Sequence, residues 1–376
     1  MSDHDPFQRA MAVVDLGAIE RNCTHLKLGL QGNAELCAVV KSNGYGHGMV
    51  ECAEAAVRGG ASRGAGATAT EAFELRPRLS DVPILVMGAL TGAELDVALQ
   101  AGAEIAVWRM GFLAEISERA AMLGFRPRVH VKYDTGMGRL GDRDPRLIDA
   151  LVDDAGADER VELAGLWTHF ATADEEDDSF LREQLDRFRE IALPAKERHP
   201  ELTLHAANSA ATLRGPDFHF DMVRCGVAIY GLDPFGADAG SHDLQPAMSL
   251  HSYVAEVKPA LAGESVGYGR SWVAEAETLI GVIPVGYGDG YRRGLSNRAD
   301  VLVEGERANG VGTISMDNLT VDLGADSEVT AGAPAVLLGA QGDEEVTAEE
   351  LAERLGTINY EITCGISPRV PRAYRR

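Results

Sequence analysis

Lysine is scarce in this chain. Five of its 35 basic residues are lysines (Lys27, Lys41, Lys132, Lys196 and Lys258) and the rest are arginines. A GC-rich coding sequence produces such a bias without any functional cause. Even so, a lysine amine can lose a proton and act as a nucleophile, which a guanidinium does not do. Lys41 raises the first question. It ends the apolar run of "AVVKSNGYGHG" (38–48), and Gly44, Gly46 and Gly48 follow it closely. A buried strand that ends on an amine sets that amine at the rim of a core. The glycines let the backbone fold tightly away from it.

Other chemistry-bearing residues recur at the ends of β-type runs. Lys132 lies in "RVHVKYD" and leads into "DTGMGRLG" with Arg139. His169 ends the run in "LAGLWTHF", Asn208 and Ser209 end "TLHAANS", and Arg224 lies in "MVRCG" ahead of Gly226. Taken singly, each has an ordinary explanation as an exposed or satisfied side chain. Their shared placement points to one site. An amine beside glycines and hydroxyls suits an aldehyde cofactor held as a Schiff base, and pyridoxal phosphate fits. Ser209, Gly226 and Tyr45 would offer hydroxyl and amide groups to its phosphate.

Such residues need a scaffold that gathers strand ends. Eight β-type runs, beginning near residues 36, 64, 83, 104, 128, 163, 203 and 222, alternate with amphipathic stretches such as "MVECAEAAVRGG" and "TGAELDVALQAG". This rhythm predicts a (β/α)8 barrel over 12–243, with reactive groups at the C-terminal ends of its strands. The run "GAGATA" (64–69) suits either a tight barrel interior or a loop. After residue 244 the helical periods mostly vanish, which predicts a C-terminal, mostly antiparallel β domain over 244–376. Residues 1–11 are expected to form an arm packing on that domain, and the linker to lie within 233–246. One helix is expected in "TAEELAERLGTI", with Thr347 and Glu350 as a capping box.

Composition narrows the partners. A net charge of −23 repels nucleic acid and anionic membranes, so neither is an expected partner. The acids cluster in "DDAGADE", "DEEDD" and "DEEVTAEE", which read as solvated loops and helix starts; a high-salt habitat is the sharper alternative. No apolar run approaches the ~18 residues that span a bilayer, and no basic flank with an apolar core marks a secretory signal. Five scattered cysteines without a Cys-x-x-Cys pair argue for a reducing cytoplasm, and against disulfides or a zinc site.

The motifs "AVVKSNGYGHG", "HVKYDTGMGRLG", "LWTHFATADE", "HAANSAA", "MVRCGVAIYG", "VGYGRSW", "PVGYGDGYRR", "ISMDNLTVD" and "INYEI" run from residue 38 to 362. In kind and order they resemble bacterial alanine racemase, a fold-type III pyridoxal-phosphate enzyme. The departures are small: Ser42 stands where alanine is common, and Ser315 where cysteine is frequent. The resemblance implies that Lys41 bonds the cofactor and is the base on the D face. Tyr268, from the partner subunit of a head-to-tail homodimer with shared active sites, is the base on the L face. Arg224 faces the pyridine nitrogen and His169 links it to Tyr268. Arg139 borders the cofactor's phenolic oxygen and the substrate carboxylate, and Met316 offers that carboxylate its backbone N–H. Tyr45, Asn208, Ser209, Gly226, Val227 and Tyr360 bind the cofactor, chiefly its phosphate, and Tyr287 with Tyr360 narrows the entrance. Lys132 is at a position often carbamylated by CO2. The expected reaction is interconversion of L- and D-alanine, supplying D-alanine for peptidoglycan in the cytoplasm. A broader serine or lysine racemase is the alternative. A decarboxylase of the same fold type would need a C-terminal cysteine motif, for which Cys364 is the one nearby candidate. A non-enzymatic carrier would be a lone barrel.

Overall fold

The computed structural model describes residues 8–376. After a first strand, β1 (Met11–Asp15), eight short parallel strands close on themselves. They are β2 (Glu35–Val39), β3 (Arg63–Gly66), β4 (Ile84–Val86), β5 (Glu104–Val107), β6 (Arg128–Lys132), β7 (Glu162–Trp167), β8 (Thr203–His205) and β9 (Met222–Cys225). β9 returns to β2 with Cys37 opposite Arg224. All eight runs read from the sequence are strands. The glycine-and-alanine run holds β3, whose residues are all buried, because small side chains are what a tight barrel interior admits.

The intervening helices follow from capping and periodicity. Thr68 and Thr91 open helices Ala69–Leu75 and Gly92–Gln100 with reciprocal capping boxes to Glu71 and Glu94. Helix Ser179–Arg198 buries Leu181, Leu185, Phe188, Ala192 and Ala195, one apolar stripe facing the barrel. At Thr347 the expected box is half made. Its hydroxyl accepts from Glu350 N at 3.0 Å, but the Glu350 carboxylate is drawn to Arg307 and Arg354 instead.

The second domain is a large sheet of β10 (Met248–Tyr253), β11 (Glu256–Ala260), β14 (Thr278–Ile283), β15 (Asp300–Val303), β16 (Glu306–Gly310), β17 (Leu319–Gly324), β18 (Pro334–Gln341), β19 (Glu344–Val346) and β20 (Arg372–Arg375), joined by β1. A small hairpin, β12 (Ser265–Val266) and β13 (Trp272–Val273), stands apart from it. β1 pairs antiparallel with β10 and parallel with β20. The expected start of the barrel at residue 12 therefore falls inside a strand of the other sheet. Backbone pairing holds the chain there as far as Asp15, and helix Leu16–Leu28 carries it to the barrel. Residues 1–7 of the expected arm lie outside the described residues. No helix among the described residues is long and apolar enough to cross a membrane.

Candidate active site

Lys41 lies just beyond the end of β2, with only Val40 between, as the sequence predicts for a residue at the barrel mouth. The backbone after it is unusual. Ser42, Asn43, Gly44 and Tyr45 all have φ between 52° and 62°, one complete turn of left-handed helix. The sequence assigns the tight fold here to its glycines, yet Ser42, Asn43 and Tyr45 share the strain, about 1–2 kcal/mol for each such residue. Side chains hold them in place. Ser42 N donates to Glu71 Oε1 at 2.7 Å, and Met49 N to Asn43 Oδ1 at 3.0 Å. His47 Nδ1 lies 3.1 Å and 3.0 Å from the carbonyls of Gly44 and Tyr45, closing the loop as a donor. Gly46 must be glycine: its φ is 86°, and a Cβ there would meet Thr363 O at 2.1 Å. Burial, then the Arg139 cation, hold the Lys41 amine below its ordinary range. Arg139 itself is exposed, on the loop after β6.

Beside this turn lies a cradle of hydroxyls and amides. Asn208 caps helix Ser209–Arg214 by accepting from Ala211 N at 3.0 Å. Ser209 Oγ accepts from Gly226 N at 3.0 Å and Ala228 N at 3.3 Å. Val227 opens the short helical turn that follows, where amides lack partners within the turn. A Cβ on Gly226 would come within 2.2 Å of the Tyr45 hydroxyl, and the Tyr360 ring lies 6.0 Å from that of Tyr45. Ser209, Gly226 and Tyr45 thus converge on one spot. The donor set fits a phosphate, and the desolvated lysine beside it fits an aldehyde, so these residues suit pyridoxal phosphate.

Deeper in the mouth, Arg224 is fully enclosed. Its Nη2 donates to Thr168 O at 2.8 Å, Ala206 O at 3.0 Å and His169 Nδ1 at 3.3 Å. Its Nη1 donates to His205 Nδ1 at 3.0 Å. Burial pushes its pKa down to about 10, so it remains a cation at neutral pH. Burial first, then Arg224, push His169 well below the ordinary histidine range, leaving it neutral. Lys132 is buried too, with Nζ 3.5 Å from the Trp167 ring centroid. Asp134, the obvious partner, instead accepts from Gly136 N, Gly138 N and Arg143. Burial, Arg224 and Arg139 hold the Lys132 amine well below its usual range.

The barrel therefore gathers Lys41, Tyr45, His169, Asn208, Ser209, Arg224, Gly226 and Val227, with Tyr360 alongside and Lys132 beneath. Tyr268, Tyr287 and Met316 lie instead on loops of the β domain and are 73%, 43% and 53% exposed. Hydrogen bonds tie the three loops together: Thr313 Oγ1 to Tyr268 O, Tyr287 N to Ser315 O, and Gly288 N to Met316 O. Among the described residues, no hydrogen bond joins Tyr268 to His169 or Lys41.

Several contributors escaped the sequence reading. Glu71 clamps the left-handed turn, and its signal was the Thr-x-x-Glu capping pattern of Thr68 and Glu71. His130, His205 and Glu104 line the barrel interior below Arg224. His130 was legible from its spacing, two residues before Lys132 on the same strand face.

Comparison with known proteins adds the family. Residues 14–234 match the family model for "Alanine racemase, N-terminal domain", and residues 247–374 match "Alanine racemase, C-terminal domain". The chain belongs to the alanine racemase family. The alanine racemase of Geobacillus stearothermophilus is 42% identical over 376 residues, covering 99% of this chain and 95% of that one. Alanine racemase 1 of Bacillus subtilis is 41% identical, covering 98% and 94%. The crystal structures of alanine racemase from Streptomyces coelicolor A3(2) and from E. faecalis each superpose with a TM-score of 0.92, at 40% and 38% identity, and each covers 99% of both chains. The expected enzyme class, an isomerase of the racemase type, stands with this family. Membership spans both domains, unlike a carrier built as a lone barrel.

Proposed function

We propose that this chain is an alanine racemase that interconverts L- and D-alanine with pyridoxal phosphate, using two opposed bases. The observation that carries the proposal is Lys41: a desolvated amine at the barrel mouth, beside a cradle of hydroxyls and amides suited to a phosphate. When bound, pyridoxal phosphate supplies the aldehyde for that amine and a ring that acidifies the substrate Cα proton. Asn208, Ser209, Gly226, Val227, Tyr45 and Tyr360 hold the phosphate end. Arg224, which does not surrender its proton and can only donate hydrogen bonds, faces the ring nitrogen and leaves it unprotonated. Racemisation removes a proton from one face of Cα and returns one to the other, so two facing bases avoid moving a single base around the substrate. Lys41 serves the D face. Tyr268 serves the L face from the partner subunit, which accounts for its exposure in the single chain. His169, joined to Arg224, extends positive potential toward that phenol. Arg139 and the Met316 amide orient the carboxylate, while Tyr287 and Tyr360 restrict the side chain.

A shared site requires a head-to-tail homodimer. We place the enzyme in the cytoplasm, supplying D-alanine for peptidoglycan. Lys132, buried beside cations and without a carboxylate partner among the described residues, is the position for a carbamate: burial and those cations favour the neutral amine, which adds CO2, loses a proton and becomes an anion facing Arg139 and Arg224. The test is borohydride reduction of the holoenzyme followed by peptide mapping, with racemisation of a panel of L-amino acids. The expected result is a pyridoxyl adduct at Lys41 and a clear preference for alanine over serine and lysine. An adduct elsewhere refutes the assignment of Lys41, and equal turnover of serine or lysine supports the broader racemase.

A further inference from the structure

The barrel interior holds a row of polar side chains for which the proposed reaction gives no role. Below Arg224, His205 Nε2 lies 2.9 Å from His130 Nδ1, and His130 Nε2 lies 3.1 Å from Glu104 Oε2. The row crosses strands β9, β8, β6 and β5, and none of its four residues is more than 3% exposed.

Its two ends dictate its direction. A guanidinium only donates and a carboxylate only accepts. Arg224 Nη1 donates to His205 Nδ1, so that nitrogen is bare and the His205 proton sits on Nε2. His205 Nε2 then donates to His130 Nδ1, which leaves the His130 proton on Nε2, facing Glu104. A second proton on either ring would set two donors against each other. Burial keeps both imidazoles below their ordinary range, and Glu104 is held at about 2, where bonds from His130 and Arg63 outweigh the cost of its burial. The surroundings fit the row. Trp167 stacks on His205 with planes 4° apart, Gly165 leaves room for His130, and Arg63 and Arg128 anchor Glu104 at the barrel floor.

We propose that Glu104, His130 and His205 are positioning residues for Arg224, a one-way hydrogen-bonded row that locks the guanidinium in place from the opposite end of the barrel. Only its link to the cofactor rests on the function proposed above, through Arg224 as partner of the ring nitrogen.

Two measurements test it. Neutron diffraction from holoenzyme crystals reads the protons directly. The expected result is one deuterium on Nε2 of both His130 and His205; deuterium on Nδ1 of either ring overturns the proposal. A double-mutant cycle on cofactor affinity reads the consequence. His205→Asn keeps an acceptor for Arg224 but does not reach His130, and Glu104→Gln removes the terminal charge. Each is expected to raise the Kd of the apoenzyme for pyridoxal phosphate about tenfold, with the double variant no worse than either single one, because both cut the same row. Additive losses, or no loss in Glu104→Gln, overturn the proposal. Glu35→Gln breaks another Arg63 pair, at 3.6 Å, without touching the row, and should leave the Kd unchanged. A loss as large as that of Glu104→Gln would overturn the proposal by assigning the effect to the barrel floor in general. If Glu104→Gln does not fold, His130→Gln takes its place in the cycle. Failure of the functional reading looks different: Lys41 stays unlabelled by borohydride while the histidine protons remain where they are.

Discussion

Gly165 and His130 face each other across neighbouring barrel strands, and a Cβ on Gly165 would stand 2.1 Å from His130 Nδ1. Rigid walls surround the pair, so neither side can yield cheaply. Gly165→Ala is expected to cost about 1–3 kcal/mol by overpacking and to weaken cofactor binding. Urea unfolding and cofactor titration of the one variant check both.

Tyr268 projects from its hairpin and is largely exposed in the single chain. If it completes the site of a partner, Lys41→Ala and Tyr268→Phe should each be inactive as homodimers and rescue one another when subunits exchange. Random mixing at equal amounts makes half the dimers mixed, and each carries one intact site, so about a quarter of wild-type activity should return. Continued inactivity after exchange, verified by native mass spectrometry, would count against the shared site.

Arg224 donates through both terminal nitrogens to protein acceptors and keeps its charge. A carboxylate in its place would favour a protonated ring nitrogen and a longer-lived carbanion. Arg224→Glu is therefore expected to racemise more slowly and to form more pyridoxamine phosphate by transamination. Chromatography of the released cofactor after prolonged turnover measures this; a wild-type level of by-product sinks the argument.

Lys132 is protonated less readily in the folded chain than in the unfolded one, because burial and the cations Arg224 and Arg139 oppose its charge. Unfolding therefore takes up a proton between its depressed native pKa and the ordinary lysine value of ~10.4. Over that window this residue makes stability rise with pH, by at most ~1.4 kcal/mol per unit. Denaturant titrations in CO2-free buffer should show this slope, and Lys132→Met should lack it. Added bicarbonate should stabilise the wild type and leave Lys132→Met unchanged, and intact-mass analysis should show the carbamate only in the former.

Much of this is legible in the sequence. The eight barrel strands carry apolar runs short enough to be strands and are separated by helical periods. Lys41, His169, Asn208 and Arg224 declared themselves by standing at or near the ends of those runs. Other features left no local trace. β1 pairs with strands more than two hundred residues away, and five residues do not announce which sheet they will join. Ser42 and Tyr45 are not residue types that demand positive φ, so their left-handed turn is imposed by Glu71, Asn43 and His47 acting together. Glu350 had the right spacing for its cap, but Arg307 and Arg354 compete for it from other parts of the chain.

The seating of β1 between β10 and β20 has a practical corollary. β1 and β20, which flank the barrel in the chain, are woven into the same sheet, so the barrel is an insertion within the other module rather than a bead preceding it. Chimeras with a relative must take the described residues up to 15 from the parent that supplies the sheet, and a junction placed only near residue 244 would mismatch a strand paired on both sides.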